Sequence, residues 1–313
     1  MKTYSNRVRK ANEDEDIFFL PRYKVEQVFT SLSHNIDWGI ELPGIPSFWT
    51  HSKGKGVNIA LLDSGIAYDH PDLKDAILDA KDFTNSRSGI GDQRGHGTHC
   101  AGILAARDNQ HGVIGIAPKC NLIIGKVIGD NHSCSAERLA AAIHWAVEAG
   151  AHIIAMSLGS NAHFGILQKA IEKAIESGVF VICAAGNSSS GMGSVDYPSA
   201  YEPVITVGAI DRQFKFTKFS ARGRQVEIVA PCDQITSTFP PNILAKLSGP
   251  SLAMPFVAGV AALVLSKHRL YGGKTPIRNR QDLLEHLWGM AIDAPEYTNC
   301  GFGLVNPKTL LIT

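Results

Sequence analysis

From residue 57 onward, short apolar runs alternate with longer stretches whose apolar positions recur every three or four residues. The runs are "VNIALLD" (57–63), "NLIIGKVIG" (121–129), "HIIAMSL" (152–158), "VFVICAAG" (179–186), "VITVGAI" (204–210) and "VEIVAP" (226–231). Several are apolar and β-branched throughout, which suits strands with both faces covered. Between them, "SAERLAAAIHWAVEAG" (135–150) opens on Ser135 as a cap, carries Glu137 in its first turn and closes on Gly150. "FGILQKAIEKAIESG" (164–178) puts Leu167, Ile171, Ala174 and Ile175 on one face and ends at Gly178. Both read as crossover helices, so the rhythm predicts an α/β chain with a mostly parallel sheet and helices on both faces. Residues 1–36 are more charged and lack this rhythm; they are set apart as an N-terminal extension to a single domain over 37–313. No repeat or low-complexity tract interrupts the pattern.

Composition narrows the class. A chain of 313 residues, 44% hydrophobic, has material for one large core. Thirty basic against 29 acidic side chains leave a net charge of +1, so no field suits nucleic acid or an acidic membrane, and neither is expected as a partner. No apolar run approaches the roughly 20 residues that span a bilayer, and the opening "MKTYSNRVRKANEDEDIFFL" has acids where a signal peptide needs apolar residues. The expectation is a soluble cytoplasmic protein. Cys100, Cys120, Cys134, Cys183, Cys232 and Cys300 are widely spread, without the close pairs of a zinc or redox motif, so free buried thiols are expected.

Functional groups of parallel sheets gather beyond the carboxyl ends of strands. "IALLDSGI" ends a strand at Asp63 and "VICAAGNSSS" ends one at Asn187. "GHGTHCAGILAA" offers His96 and His99 at a helix start, and "LSGPSLAMPFVAG" places Ser251 before an apolar helical run. Each residue alone has an ordinary reading as a turn former or a cap. A zinc pair of His96 and His99 lacks an HExxH arrangement and an evident third ligand. Together the residues fit one chemistry: a serine hydroxyl needs a base to take its proton, and the base needs a carboxylate to fix its tautomer and steady its charge. Asp63, His96 and Ser251 supply these groups, while Asn187 Nδ2 and the Ser251 N–H would meet the developing oxyanion.

The order Asp63, His96, Ser251 is the subtilisin order, and from about Trp38 to the C-terminus the chain resembles the subtilisin-family serine proteases (subtilases). The resemblance rests on "LLDSGI", "GHGTHCAG", "MSLGS", "AAGN" and "GPSLAMPFVAG" in the family's order and at similar spacing, with "CGFGLVNPKTLL" like its closing segment. It implies a three-layer subtilisin-like fold and a serine endopeptidase working through an acyl-enzyme, with Asp63, His96 and Ser251 as triad and Asn187 as oxyanion donor. It further implies that Ser157, Leu158 and Gly159 form a cleft edge that hydrogen-bonds an extended polypeptide substrate, and that Ala184, Ala185 and Gly186 line the first specificity pocket. Asp196 of "SVDYPSAYEP" aligns near that pocket's floor, where a carboxylate would favour Lys or Arg before the scissile bond; the plain alternative is a surface-loop acid.

The chain also departs from the family. Pro250 stands where a threonine is usual, removing an N–H and a hydroxyl beside the nucleophile and pushing Gly249 into extended geometry. A catalytically impaired peptide-binding pseudoprotease is therefore the competing reading. Phe256 replaces a usual histidine and reads as packing. Cys100, one turn after His96, reads as a buried thiol under the imidazole.

Two further expectations come from the resemblance alone. "HPDLKD" and "AARDNQHGVIGIAP" are similar to the segments that form a calcium site in subtilisins, implying side-chain oxygens from Asp72 and Asn109 and carbonyls from Arg107, His111 and Val113, ligands of the kind Ca²⁺ takes. A sixth ligand would come from near His34; the alternative is a loop closed by hydrogen bonds. "IFFLPRYKVEQ" resembles the short extension of intracellular subtilisins, the branch closest in organisation, where such a segment lies over the active site as an inhibitory propeptide. There Pro21 would displace the scissile bond. That branch also implies a homodimer.

Overall fold

The computed structural model describes residues 17–30, 35–41, 43–187, 195–272, 276–292 and 303–305. Along the chain run β1 (Ile17–Phe19), β2 (Lys24–Phe29), the short helices α1 (Trp38–Glu41) and α2 (Ile45–Phe48), β3 (Asn58–Asp63), β4 (Ile77–Asp82), α3 (His96–Ala105), β5 (Asn121–Lys126) and β6 (Ser133–Ser135). There follow α4 (Ala136–Glu148), β7 (Ile153–Met156), α5 (Gly165–Glu176), β8 (Phe180–Ala184), β9 (Ile205–Ile210), β10 (Ile228–Pro231), β11 (Ile235–Phe239), β12 (Ile243–Ser248), α6 (Ala253–Tyr271), α7 (Arg280–Gly289), β13 (Ala291–Ile292) and β14 (Leu304–Val305).

Nine strands form the central sheet in the order β13-β14-β10-β9-β8-β7-β3-β5-β4. The pairings are parallel apart from the β13–β14 edge. Period-two alternation sorts its side chains into two cores. From β3, Ile59 and Leu61 pack with α3 and α6, while Ala60 and Leu62 pack with α4 and α5. This is the three-layer arrangement expected of the subtilisin fold. Ser135 caps α4 by accepting the Arg138 N–H, and Gly150 (φ 80°) and Gly178 (φ 81°) follow α4 and α5 in the left-handed conformation that favours glycine.

By length and composition the helical stretch Pro250–Arg269 would pass for a membrane span, but 94% of its apolar window is buried inside the fold. Its apolar character belongs to the core, where Phe256 sits at 2% exposure. The five described cysteines are free and buried; Cys300 lies outside the described residues.

The extension does form strands where described. β1 pairs antiparallel with β6, and β2 joins β12 and β11 in a three-stranded sheet. Its sequence lacks an amphipathic rhythm of its own because these strands take their hydrogen bonds from edges the domain already offers.

Candidate active site

Asp63 is the last residue of β3 and His96 the first of α3, so a strand end and a helix start deliver acid and imidazole to one place. His96 Nδ1 lies 2.8 Å from Asp63 Oδ1 and 3.0 Å from Oδ2. A carboxylate only accepts, so Nδ1 carries the proton and Nε2 is left as the base. Burial opposes a charge on this ring, but the charge and hydrogen bond of the Asp63 carboxylate, with the adjoining Cys100 sulfur, together outweigh it and hold its basicity well above the ordinary imidazole value. Cys100 Sγ stands 3.9 Å from Nδ1, and burial pushes its thiol up, so it packs as a neutral group.

His99 is turned to a different task. Its Nε2 faces the carbonyls of Ile235 and Ala245 at 3.1 and 3.2 Å, and burial, with His96 adding, lowers its basicity to about 3. A neutral imidazole bound to two carbonyls is a structural tie between α3 and the hairpin of β11 and β12.

Ser251 sits in the tight turn Pro250–Leu252 that runs into α6. Gly249 before it is extended (φ 168°, ψ 148°), as a residue preceding proline should be. The Ser251 carbonyl accepts the Ser157 hydroxyl at 2.8 Å. Its N–H falls in the first turn of the helical segment, where no earlier helical carbonyl is available. Among the described residues, Ser251 Oγ and His96 Nε2 are both buried without a hydrogen-bond partner, each other included, as is Asn187 Oδ1. Buried polar atoms are seldom left so. A base and a hydroxyl in that condition are ready for a reacting partner rather than for holding the fold.

Around this centre, Leu158 is buried in the core, while Gly159 exchanges both backbone hydrogen bonds with Phe19 of the extension, at 2.9 and 3.1 Å. Asp196 donates its N–H to the Ala185 carbonyl, and its Oδ2 accepts the Asn187 N–H at 3.3 Å. A Cβ added to Gly159 would lie 3.0 Å from Asp196 Cβ, and one added to Gly186 (φ 92°) would collide with Asp196 Oδ2. The carboxylate thus lies between two glycine backbones, beside Ala184 and Ala185 at the end of β8.

The extension threads the same region. Residues 17–19 lie between β6 and Gly159; Phe18 is fully buried with its ring 5.2 Å from that of Phe164. Past Leu20 and Pro21, the Tyr23 ring comes 5.1 Å from the His96 ring and its hydroxyl donates to the Arg94 carbonyl at 3.0 Å. Gly249 backs onto this segment: a Cβ there would be 2.9 Å from Tyr23 Cβ. β2 then pairs with β12, the strand that leads to Ser251.

The expected calcium ligands are brought together too. Asp72 is fully buried; its carboxylate accepts from Asn109 Nδ2 at 3.1 Å and from the Val113 N–H at 3.0 Å. Asn109 Oδ1 accepts the His111 N–H, and the Arg107 carbonyl accepts the Asn109 N–H. A buried acid in a loop of backbone carbonyls has the hard-oxygen chemistry that Ca²⁺ takes, but here Asn109 presents its Nδ2 to Asp72 and its oxygen to the His111 N–H, so holding the ion would require this amide to turn. His34 lies outside the described residues, but its neighbour Asn35 donates to the Gly112 carbonyl at 2.8 Å, beside this loop.

Sequence reasoning gave no role to Tyr23, Ser64 or Asp92. Of these only Asp92 left a signal: an acid four residues before His96, ahead of a glycine that has no side chain to cap the helix.

Comparison with known proteins gives this geometry a context. A family model described as "Subtilase family" matches residues 54–288. The "Intracellular serine protease" of Paenibacillus polymyxa is 40% identical over 238 residues, which cover 74% of this chain and 73% of that protein. The "Major intracellular serine protease" of Bacillus subtilis (strain 168) is 38% identical over 260 residues, 80% of this chain and 81% of the relative. "Subtilisin Savinase" of Lederbergia lenta is 38% identical over 279 residues, 88% and 98% respectively.

Proposed function

This chain belongs to the subtilase family and is a serine endopeptidase acting on polypeptides, and from that premise we propose that Asp63, His96 and Ser251 perform the cleavage. The observation that carries the assignment is the buried imidazole with one nitrogen committed to a carboxylate and the other, like the serine hydroxyl, left without a partner. In this reading Ser251 Oγ adds to the substrate carbonyl carbon as its proton passes to His96 Nε2, and Asp63 steadies the imidazolium. The oxyanion meets the Ser251 N–H and Asn187 Nδ2. Collapse breaks the C–N bond, and His96 returns the proton to the leaving amine. Water then repeats the sequence on the acyl-enzyme, releasing the acid and restoring the hydroxyl. Pro250 costs a neighbouring donor but leaves both of these.

Asp196, between the glycines, is read as the floor of a narrow slot that favours Lys or Arg before the scissile bond. The extension is read as a restraint that fills the cleft in the manner of a substrate. Asp72, Arg107, Asn109, His111 and Val113 would hold a structural Ca²⁺ that braces the loop after α3. Two relatives are named intracellular, which favours a cytoplasmic location.

Labelling with a fluorophosphonate probe, on the full chain and on a form lacking residues 1–23, tests the nucleophile. The wild type should label; Ser251→Ala should not, and its turnover should drop about 10⁶-fold. A wild-type chain that never labels in either form would leave only the peptide-binding pseudoprotease.

A further inference from the structure

We propose that Asp92 is a positioning residue for the triad, setting the separation of Asp63 and His96 through the hydroxyls of Ser64 and Thr98. The inference rests on the triad reading above. Helix α3 starts at His96 behind Gly95 (φ 80°), which has no side chain to receive the first-turn N–H groups. Asp92 takes that role from four residues upstream. Its Oδ2 accepts the Thr98 N–H at 2.8 Å and the Thr98 hydroxyl at 2.7 Å, and its Oδ1 accepts the N–H groups of Arg94 and Gly95, both at 2.9 Å. A fifth donor, the Ser64 hydroxyl, reaches Oδ1 at 2.9 Å.

The fifth donor turns a helix cap into a frame. An ionised carboxylate only accepts, so both hydroxyls must give it their protons, which fixes where their lone pairs face. The Ser64 oxygen then receives the Gly97 N–H at 3.0 Å, and the Thr98 oxygen receives the Ala67 N–H at 3.0 Å. Each hydroxyl therefore bridges the segment after β3 to the first turn of α3. Ser64 also donates its N–H to Asp63 Oδ1 at 2.7 Å, so the residue aimed by Asp92 grips the triad acid directly. Strand end and helix start meet without a side chain between them: a Cβ on Gly97 would strike the Gly65 carbonyl and lie 3.3 Å from Asp63 Cβ. Asp92 is 5% exposed, and these five donors are all neutral. It touches no reacting atom.

Replacing one carboxylate oxygen by an amide NH₂ breaks this logic either way round. At the Oδ1 position the NH₂ would force the Ser64 hydroxyl to accept, costing it the Gly97 bond. At the Oδ2 position the NH₂ faces the Thr98 N–H, donor against donor. Small displacements of a catalytic pair are costly, roughly 10²-fold for about 1 Å.

The test compares Asp92→Asn and Ser64→Ala with wild type and Ser251→Ala, in the form lacking residues 1–23, which keeps β2 on β12, with rates corrected by active-site titration. Ser64→Ala keeps the backbone N–H that bonds Asp63 but removes the hydroxyl through which Asp92 and Gly97 aim it, while leaving the other four donors to Asp92 in place, and so serves if Asp92→Asn folds poorly. Both frame variants should lose roughly 10-fold to 10²-fold in kcat with little change in KM. The acid limb of kcat/KM should move down toward the ordinary imidazole value, and the deshielded proton on His96 Nδ1 should shift upfield. The other titratable groups facing His96 are Cys100 and His99 on its own helix and Tyr23 of the extension; burial keeps the first two neutral and Tyr23 is absent from the enzyme tested, so the limb reports the Asp63 contact. Wild-type kcat, limb and proton resonance in both frame variants, beside an inactive Ser251→Ala, overturn this inference alone. An active Ser251→Ala removes the triad reading and this inference with it.

Discussion

His96 must be held firmly and yet give up a proton. The same Asp63 contact that orients the ring helps keep it protonated to higher pH than a free imidazole, whereas the proposed attack by Ser251 requires the neutral form. The acid limb of kcat/KM is therefore expected above pH 6.5, with activity rising as pH rises through the folded-state value; a limb at or below 6.5 would contradict the direction. Stability runs the other way. A raised histidine contributes stability that is fully present below its unfolded pKa and lost as pH climbs through the folded one, so this pair steadies the fold least where it works best. Asp196 makes the second residue-scale prediction. Substituting Asp196→Ser should lower kcat/KM for Lys and Arg peptides by 10-fold or more relative to Phe and Leu peptides, in the range of a charge-assisted pair. An unchanged ranking in a peptide library would make it a loop acid. Asp63, His96, Ser251 and Asn187 could be singled out as the proposed site because strand ends, glycine-rich turns and their order leave marks in sequence. Asp92 left only the weak mark of an acid ahead of a glycine-led helix, because its importance lies in five donors that join its own turn, residues 94–98, to Ser64, 28 positions before it.

At the scale of elements, the strands named from apolar runs all appear, but each is shorter than its run. "NLIIGKVIG" keeps only Asn121–Lys126 as β5, since the Val127 and Ile128 N–H groups both turn to the Asp63 carbonyl and break the ladder. β11 and β12 escaped notice because "ITSTF" and "ILAKLS" are short and partly polar, and their pairing with each other and with β2 is what makes them strands. The two anchors of the extension lead to a prediction. Removing residues 1–23 takes away β1, buried Phe18 and Tyr23 but leaves β2 on β12, so the initial rate should rise while the melting temperature falls. Removing residues 1–30 also strips β12 of its outer partner, leaving it only β11, and should lower the melting temperature further while keeping the gain in rate. Equal initial rates for the full chain and the shorter deletion would show that the extension exerts no restraint.

For the whole molecule, the loop 107–113 ties the end of α3 to the N-terminal side of the domain through Asp72 and Asn35. If Ca²⁺ braces this loop, a chelator should lower the melting temperature and added Ca²⁺ should restore it, because a ligand bound only to the folded state stabilises it by mass action. Identical melts with and without chelator would mean that the hydrogen bonds of Asp72 and Asn109 suffice.

Sequence by itself determined the parallel α/β scaffold, its crossover helices and the residues whose chemistry suits acyl transfer, because periodicity and residue type are local properties that burial merely enforces. Only the tertiary structure decided that Asp63 and His96 meet in a hydrogen bond across 33 positions, that the Asp196 carboxylate fits between two glycines, and that residues 17–23 run past β6, Gly159 and the His96 ring. Those outcomes depend on which strand edges and helix ends come to lie side by side, and no stretch of sequence carries the directional hydrogen bonds that hold them there.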